Sequence, residues 1–138
     1  MKTVQGPLKV KSTPLESNPA LTQIGGMCMS FEKTFEGALQ ATSIVSMMGL
    51  MNMEKKAGAY VALEKVTGIL DGRRGSFCLY HSSSTDNGVN KQSIKVVPQS
   101  GTEELEDIDG SMEIDIREGI HSYIFQYDVK PNSSNAKS

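Results

Sequence analysis

One glutamate and one histidine near the middle of the chain could do chemistry together. Glu64 and His81 are the two ends of a segment that reads Glu-Lys-Val-Thr-Gly-Ile-Leu-Asp-Gly-Arg-Arg-Gly-Ser-Phe-Cys-Leu-Tyr-His, a pattern typical of a β-hairpin. A carboxylate beside an imidazole is suited to general acid–base catalysis. It is equally suited to a structural contact, because a buried carboxylate needs a partner. With no nucleophile or oxyanion donor near them in the sequence, these residues leave open whether the chain is an enzyme.

The turn at residues 71–74 decides whether these two side chains meet. A two-residue loop at residues 72–73, or a four-residue loop over 71–74, places Glu64 directly opposite His81. A three-residue loop would instead place Lys65 opposite His81 and mix polar with apolar side chains on each face. We expect the first register, because it separates polarity better. It gathers four apolar side chains on the face of Glu64 and His81: Val66, Leu70, Phe77 and Leu79.

A second hairpin brings further rings to the inner face. A turn at Glu118-Gly119 pairs Arg117 with Ile120 and puts alternate residues of the last strand on one face. Tyrosine hydroxyls on that face need polar partners or water. The candidate ligand-binding residues of the chain are therefore Tyr60, Glu64, Phe77, His81, His121, Tyr123, Phe125 and Tyr127.

Other chemistry-bearing residues give weaker signals. Arg73 and Arg74 could hold an anion between their guanidinium groups, but they lack the strand-to-helix context of a phosphate loop. Cys28 and Cys78 lie far apart with no CxxC motif, so we expect two reduced thiols. The sequence predicts no metal site and no cofactor.

The elements that must position these residues read as strands. Alternation such as Met112, Ile114 and Ile116 against Glu113 and Asp115 predicts antiparallel strands with one polar face. Such strands, joined by short turns, favour an all-β closed eight-stranded antiparallel meander barrel over a two-sheet sandwich. One short helical turn over Thr102–Asp109 precedes the seventh strand. The predicted strands lie near Leu8–Thr13, Met27–Phe35, Leu39–Met48, Gly58–Leu70, Gly75–Ser82, Gln92–Val97, Met112–Arg117 and Ile120–Val129.

Composition limits the function classes. The 138 residues fit a single domain, which we place at 1–130, followed by a flexible polar tail at 131–138. With 14 basic and 16 acidic residues, the net charge of −2 gives no general attraction to nucleic acid or to a membrane surface. The start of the chain shows no apolar run of secretory length, which favours a cytoplasmic protein.

Several short elements together carry a family resemblance. They are Glu64-Lys-Val-Thr-Gly68, Gly72-Arg-Arg-Gly-Ser-Phe77, His81, Val96-Val-Pro98 with Gly101-Thr102, and His121-Ser-Tyr123 with Tyr127-Asp128. In order and spacing they resemble an uncharacterised bacterial domain-of-unknown-function family, from about Leu8 to Val129. The resemblance implies a closed barrel of the allene oxide cyclase type and gives no activity. Members of that family often carry a Trp near the position of Ile94, so this chain departs from the family pattern there.

Three functions fit these patterns. The first is binding of a small apolar molecule in the barrel lumen, because eight-stranded barrels either fill with side chains or hold one small ligand. The second is an isomerase or lyase that uses Glu64 and His81 as acid and base. The third is a structural or assembly module without a ligand. Methionines near the end of the third strand and the face of Tyr80 also suggest association into a homo-oligomer.

Overall fold

Eight antiparallel strands form one closed barrel in the computed structural model, which describes residues 1–130. Each strand pairs with the next in the chain, and β8 closes the barrel on β1. This confirms the predicted meander barrel, while the tail at 131–138 lies outside the described residues. The strands are β1 Lys2–Leu15, β2 Met27–Phe35, β3 Leu39–Asn52, β4 Ala57–Leu70, β5 Arg73–Asp86, β6 Val89–Val96, β7 Ile108–Arg117 and β8 Ile120–Val129.

Within residues 1–130, two short helical segments accompany the strands. A 3-10 turn at Glu103–Leu105 precedes β7, as expected, but it is shorter than predicted because β7 already begins at Ile108. The helix α1, Pro19–Gln23, was not predicted. Its start is nevertheless encoded locally, since the Asn18 side chain accepts a hydrogen bond from the Leu21 amide at 2.8 Å. Among residues 1–130, no helix is long and apolar enough to cross a membrane.

The β4–β5 hairpin differs from the predicted register by two residues. Its loop is Asp71-Gly72, with φ angles of 49° and 82°, the two positive values that a type I′ turn requires. Ala62 therefore lies opposite His81, and Glu64 lies opposite Leu79. The prediction of a loop at residues 72–73 or over 71–74 was wrong. The buried face was nevertheless right, because a shift of two residues leaves every side chain on the same face.

The β7–β8 hairpin has the predicted register. Arg117 lies opposite Ile120, and Ile116 lies opposite His121. Tyr123 and Phe125 are fully buried on the inner face, and Tyr127 is almost fully buried.

The two ends of the barrel differ in their packing. The base, where β4 turns into β5, holds a continuous hydrophobic core that includes the stacked rings of Phe77, Phe125 and Tyr127. Leu105 of the 3-10 turn joins this core over Gly75, where an added Cβ would meet the Leu105 side chain at 3.2 Å. The base is therefore closed. The other end, where β3 turns into β4 and β7 into β8, is the mouth.

The outer surface of β3, β4 and β5 is partly apolar. Ile44, Val61 and Leu63 are 67%, 50% and 65% exposed, and Met48 and Tyr80 lie beside them on the same side of the sheet. This surface is consistent with the expected homo-oligomer, which stays a prediction.

Cys28 and Cys78 are both free thiols.

The ladder is shortest between β6 and β7. Within residues 1–130, these strands share a single paired position, Lys95 with Ser111. Nearer the mouth, a side chain takes the place of a backbone acceptor: Gln92 Oε1 accepts a hydrogen bond from the Ile114 amide at 3.2 Å. Both Gln92 and Ile114 line the cavity described below.

Candidate functional site

A cavity of about 530 Å³ occupies the mouth half of the barrel. This volume lies within the roughly 300–1,000 Å³ that small-molecule sites usually have. The side chains that line it come from alternate positions of the strands, since every second residue of a barrel strand points inward. Most of its walls are apolar: Val10, Phe31, Val45, Met47, Ala62, Ile94, Ile114 and Ile116. Its polar lining residues are Lys33, Tyr60, His81, Asn90, Gln92 and His121.

Three charged or titratable residues lie together at the bottom of the cavity, and we call them the floor triad: Lys33, Glu64 and His81. Glu64 Oε1 lies 3.2 Å from Lys33 Nζ and 2.7 Å from His81 Nε2. The second carboxylate oxygen accepts a hydrogen bond from Ser43 Oγ at 2.5 Å. Lys33 and His81 line the cavity, whereas the Glu64 side chain has no accessible surface. Glu64 therefore lies beneath the other two and holds them in place.

The contact between Glu64 and His81 is diagonal across β4 and β5. His81 lies opposite Ala62, one inward position nearer the mouth than Glu64. Diagonal neighbours on one face of a sheet lie within reach of long side chains. The predicted pairing of the two side chains is therefore confirmed, although the backbone register that was expected to produce it is not.

Opposing influences act on the pKa of Glu64. Burial would raise it, since a low-dielectric site penalises the charged carboxylate. The hydrogen bond from His81, the positive charge of Lys33 and the hydrogen bond from Ser43 outweigh burial and lower the pKa below its ordinary value. Glu64 is thus ionised at neutral pH. Because an ionised carboxylate only accepts hydrogen bonds, His81 Nε2 must carry the proton of the contact.

This lowered pKa predicts a pH dependence of stability. A carboxylate whose folded-state pKa lies below its ordinary value of 4.5 stabilises the fold above that pH. The stabilisation is lost as the pH falls through the folded-state pKa. We therefore expect the stability difference between wild type and Glu64→Gln to shrink on acidification from about pH 7 to about pH 3. Urea denaturation at a series of pH values measures it, and a difference that is constant over this range would contradict the prediction.

The predicted site residues separate into two groups. Tyr60, His81 and His121 line the cavity, with Glu64 directly beneath it. The other predicted ligand-binding residues lie in the packed base and do not line the cavity: Phe77, Tyr123, Phe125 and Tyr127.

The tyrosine hydroxyls of the base have protein partners. Tyr123 donates a hydrogen bond to the Glu36 carbonyl oxygen at 2.6 Å, and Tyr127 donates to the Asp71 carboxylate. Burial, together with that hydrogen bond and the negative charge of Asp71, raises the pKa of Tyr127 to about 12. Tyr127 is therefore a neutral phenol at any physiological pH, and its hydroxyl does not need a wet lumen.

The two arginines of the predicted anion site lie at the other end of the barrel. Arg73 and Arg74 are exposed at the β4–β5 turn. The Arg74 backbone amide, near the start of β5, donates a hydrogen bond to Glu104 Oε1 at 3.1 Å, so a carboxylate of the chain already occupies this amide.

Sequence reasoning missed Lys33. A signal for it existed, because position 33 belongs to the inward series of β2 that also contains Met29, Phe31 and Phe35. A lysine in such a series is a charged residue on a buried face, and such a residue needs a counter-charge. Only the closed barrel shows that the counter-charge comes from β4, with β3 between the two strands.

Comparisons with known proteins find one family. A family model described as "Protein of unknown function (DUF3224)" matches residues 4–127. The chain is also similar to the crystal structure of a DUF3224 protein of unknown function from Shewanella oneidensis MR-1, with 39% identity and a TM-score of 0.86. That match covers 95% of this chain and 99% of the other. No similar chain was found among curated proteins. The predicted resemblance to a domain-of-unknown-function family is confirmed.

Proposed function

Because the chain belongs to the DUF3224 family, whose function is unknown, we propose its function from the cavity itself. The barrel binds a small, mostly apolar molecule in its lumen. The supporting observation is the cavity of about 530 Å³, with apolar walls and the polar groups of Lys33 and His81 converging at its floor. A largely apolar pocket with a few placed polar groups is the usual architecture of small-molecule sites.

The proposed contacts follow from this placement. The apolar body of the ligand packs against walls such as Phe31, Val45 and Ile114, while its polar end meets Lys33 and His81. Tyr60 and His121 lie among the lining residues. Glu64 acts as a positioning residue, because it contacts both floor residues without touching the cavity.

The geometry favours binding over acid–base catalysis by Glu64 and His81. An enzyme of that kind needs both groups beside the substrate. His81 lines the cavity, but the Glu64 side chain has no accessible surface. A structural module without a ligand is also less well supported, since a module of that kind does not need a cavity with buried polar groups at its floor.

A substitution that fills the cavity tests this proposal. Ala62 is 6% exposed and lines the cavity, so Ala62→Phe places a ring inside it. The matched control is Val61→Phe, at an outward position that is 50% exposed. We expect decanol or decanoate to stabilise wild type and Val61→Phe, by about 2.7 kcal/mol at roughly 100 times Kd. Ala62→Phe should show no such stabilisation.

Thermal unfolding with and without each probe measures this effect. Wild-type protein whose Tm responds to neither probe would overturn the proposal. So would an equal response in folded Ala62→Phe, because the probe would then bind outside the cavity.

A further inference from the structure

We propose that the ligand of this cavity is an amphiphile with an apolar chain and one carboxylate, which rests on Lys33 and His81 and enters together with one proton. The inference rests on the proposed binding function and names the chemical class of the ligand. It is based on the hydrogen-bond donors and charges that the floor triad presents to a molecule in the cavity.

Lys33 offers hydrogen-bond donors to the cavity. Its ammonium group carries three N–H donors. Within residues 1–130 its hydrogen-bond partner is Glu64 Oε1, at 3.2 Å. The Lys33 side chain is 9% exposed and lines the cavity, so the remaining donors have few water molecules to meet. Charge-assisted hydrogen bonds to an oxygen acceptor are the strong interactions available to such a group.

His81 offers its second ring nitrogen. Nε2 is engaged by Glu64, whereas Nδ1 has no hydrogen-bond partner in the described part of the chain. His81 is 6% exposed and lines the same cavity as Lys33. A neutral ring with its proton on Nε2 presents a lone pair at Nδ1, and a protonated ring presents an N–H donor there. Once His81 is protonated, both floor residues can donate to the oxygens of one head group.

The charge balance of the floor triad explains why a proton is taken up when a carboxylate binds. Lys33 and Glu64 cancel one another, so a carboxylate added to a neutral His81 would leave one uncompensated negative charge in a buried site. Protonation of His81 removes that imbalance. His81 contacts Glu64 of β4, and Glu64 in turn contacts Lys33 of β2 and Ser43 of β3. The other polar residues that line the cavity with His81 are Tyr60, Asn90, Gln92 and His121. Within this set Glu64 is the single carboxylate, and it is already paired with Lys33.

An uncharged head group would make weaker contacts with Lys33 and His81. An alcohol can accept from Lys33 and donate to neutral His81 without any change in protonation. It gains no charge-assisted bond between two ions and brings no negative charge that would favour a protonated His81, so we expect no proton uptake when it binds. The apolar walls select for a chain in either case, so the head group alone separates the two classes.

Calorimetric titration with decanoate and decanol tests the inference. Decanoate should bind wild type about 10- to 100-fold more tightly than it binds Lys33→Met/Glu64→Gln, which removes both charges and leaves no buried ion unpaired. Decanol should lose clearly less affinity than decanoate in the double variant, because Lys33 offers it one hydrogen bond and no ion pair. The matched control is Lys65→Met, which removes an exposed outward lysine next to Glu64 and should keep wild-type affinity for decanoate.

Proton uptake gives an independent readout. Titrations in two buffers of different ionisation enthalpy should show uptake approaching one proton per decanoate as the pH rises towards about 8, and none for decanol. Wild-type protein that binds both probes equally, with no proton uptake, would overturn this inference and leave the proposed function standing. Wild-type protein that binds neither probe would overturn both. If the double variant does not fold, the proton count on wild type still decides.

Discussion

Replacing Glu64 with glutamine is expected to lower the free energy of unfolding by about 3–5 kcal/mol at neutral pH. The carboxylate compensates the positive charge of Lys33, whose side chain is only 9% exposed, and it also accepts the hydrogen bonds of His81 and Ser43. Glutamine keeps the size of the side chain and removes the charge. Lys33 then remains charged and buried without a counterion, which is the costly state. Urea denaturation followed by circular dichroism measures the loss.

Two controls isolate this effect. Glu113→Gln removes an exposed carboxylate on β7 and should change the stability by no more than about 0.5 kcal/mol. Lys33→Met/Glu64→Gln removes both charges and should recover most of the stability, since no unpaired ion remains. A Glu64→Gln protein as stable as Glu113→Gln would show that the floor triad is not a coupled buried unit.

Replacing Phe125 with alanine is expected to cost about 3–5 kcal/mol, the usual range for a buried phenylalanine. Phe125 is 0% exposed, and its ring stacks between Phe77 and Tyr127 with centroid distances of 5.5 Å on both sides. The substitution therefore opens a void in the closed base. The matched control at the mouth is Ile116→Ala, where the side chain is 59% exposed and a change of about 0.5 kcal/mol or less is expected.

This comparison tests the difference between the two ends of the barrel. Equal destabilisation by Phe125→Ala and Ile116→Ala would contradict a packed base and an open mouth. Thermal or urea unfolding of the two variants and wild type under the same conditions gives the answer.

Most of the fold can be predicted from the sequence, because the alternation of side chains between the two faces of a strand is a local signal. Residues 112–116 alternate in polarity, residues 120–127 carry a ring at every second position from His121, and the Glu118-Gly119 turn between them is short and unambiguous. Both strands and their register follow from that pattern, as the pairing of Arg117 with Ile120 confirms. Closure of the barrel also follows, since a meander of such strands leaves exposed edges until its ends meet.

The β4–β5 hairpin shows where local reasoning gives the wrong register. Asp71-Gly72-Arg73-Arg74 contains several plausible loops, and polarity cannot separate registers that differ by two residues. The deciding property is conformational. Asp71 and Gly72 both adopt positive φ, the type I′ conformation for which Asp-Gly is a preferred dipeptide. Attention to that dipeptide would have given the observed register.

The boundary between cavity and base depends on contacts that no single strand encodes. Tyr60 and Tyr123 are both inward tyrosines, yet one lines the cavity and the other is packed among base residues. Their heights in the barrel follow from the stagger of all eight strands and from the position of Leu105 under the base. For the same reason, the pairing of Lys33 with Glu64 across β3 is a property of the closed sheet and not of either segment.

The most direct test of ligand binding in the lumen is a titration of the wild-type protein with decanoate, followed by methyl resonances in nuclear magnetic resonance spectra. We expect saturable shifts for methyl groups that line the cavity, those of Met47, Ala62 and Ile114, with little change for Leu39 and Leu70 in the packed base. Shifts confined to exposed outer methyl groups such as those of Ile44 and Leu63, or no saturable shift at all, would contradict it.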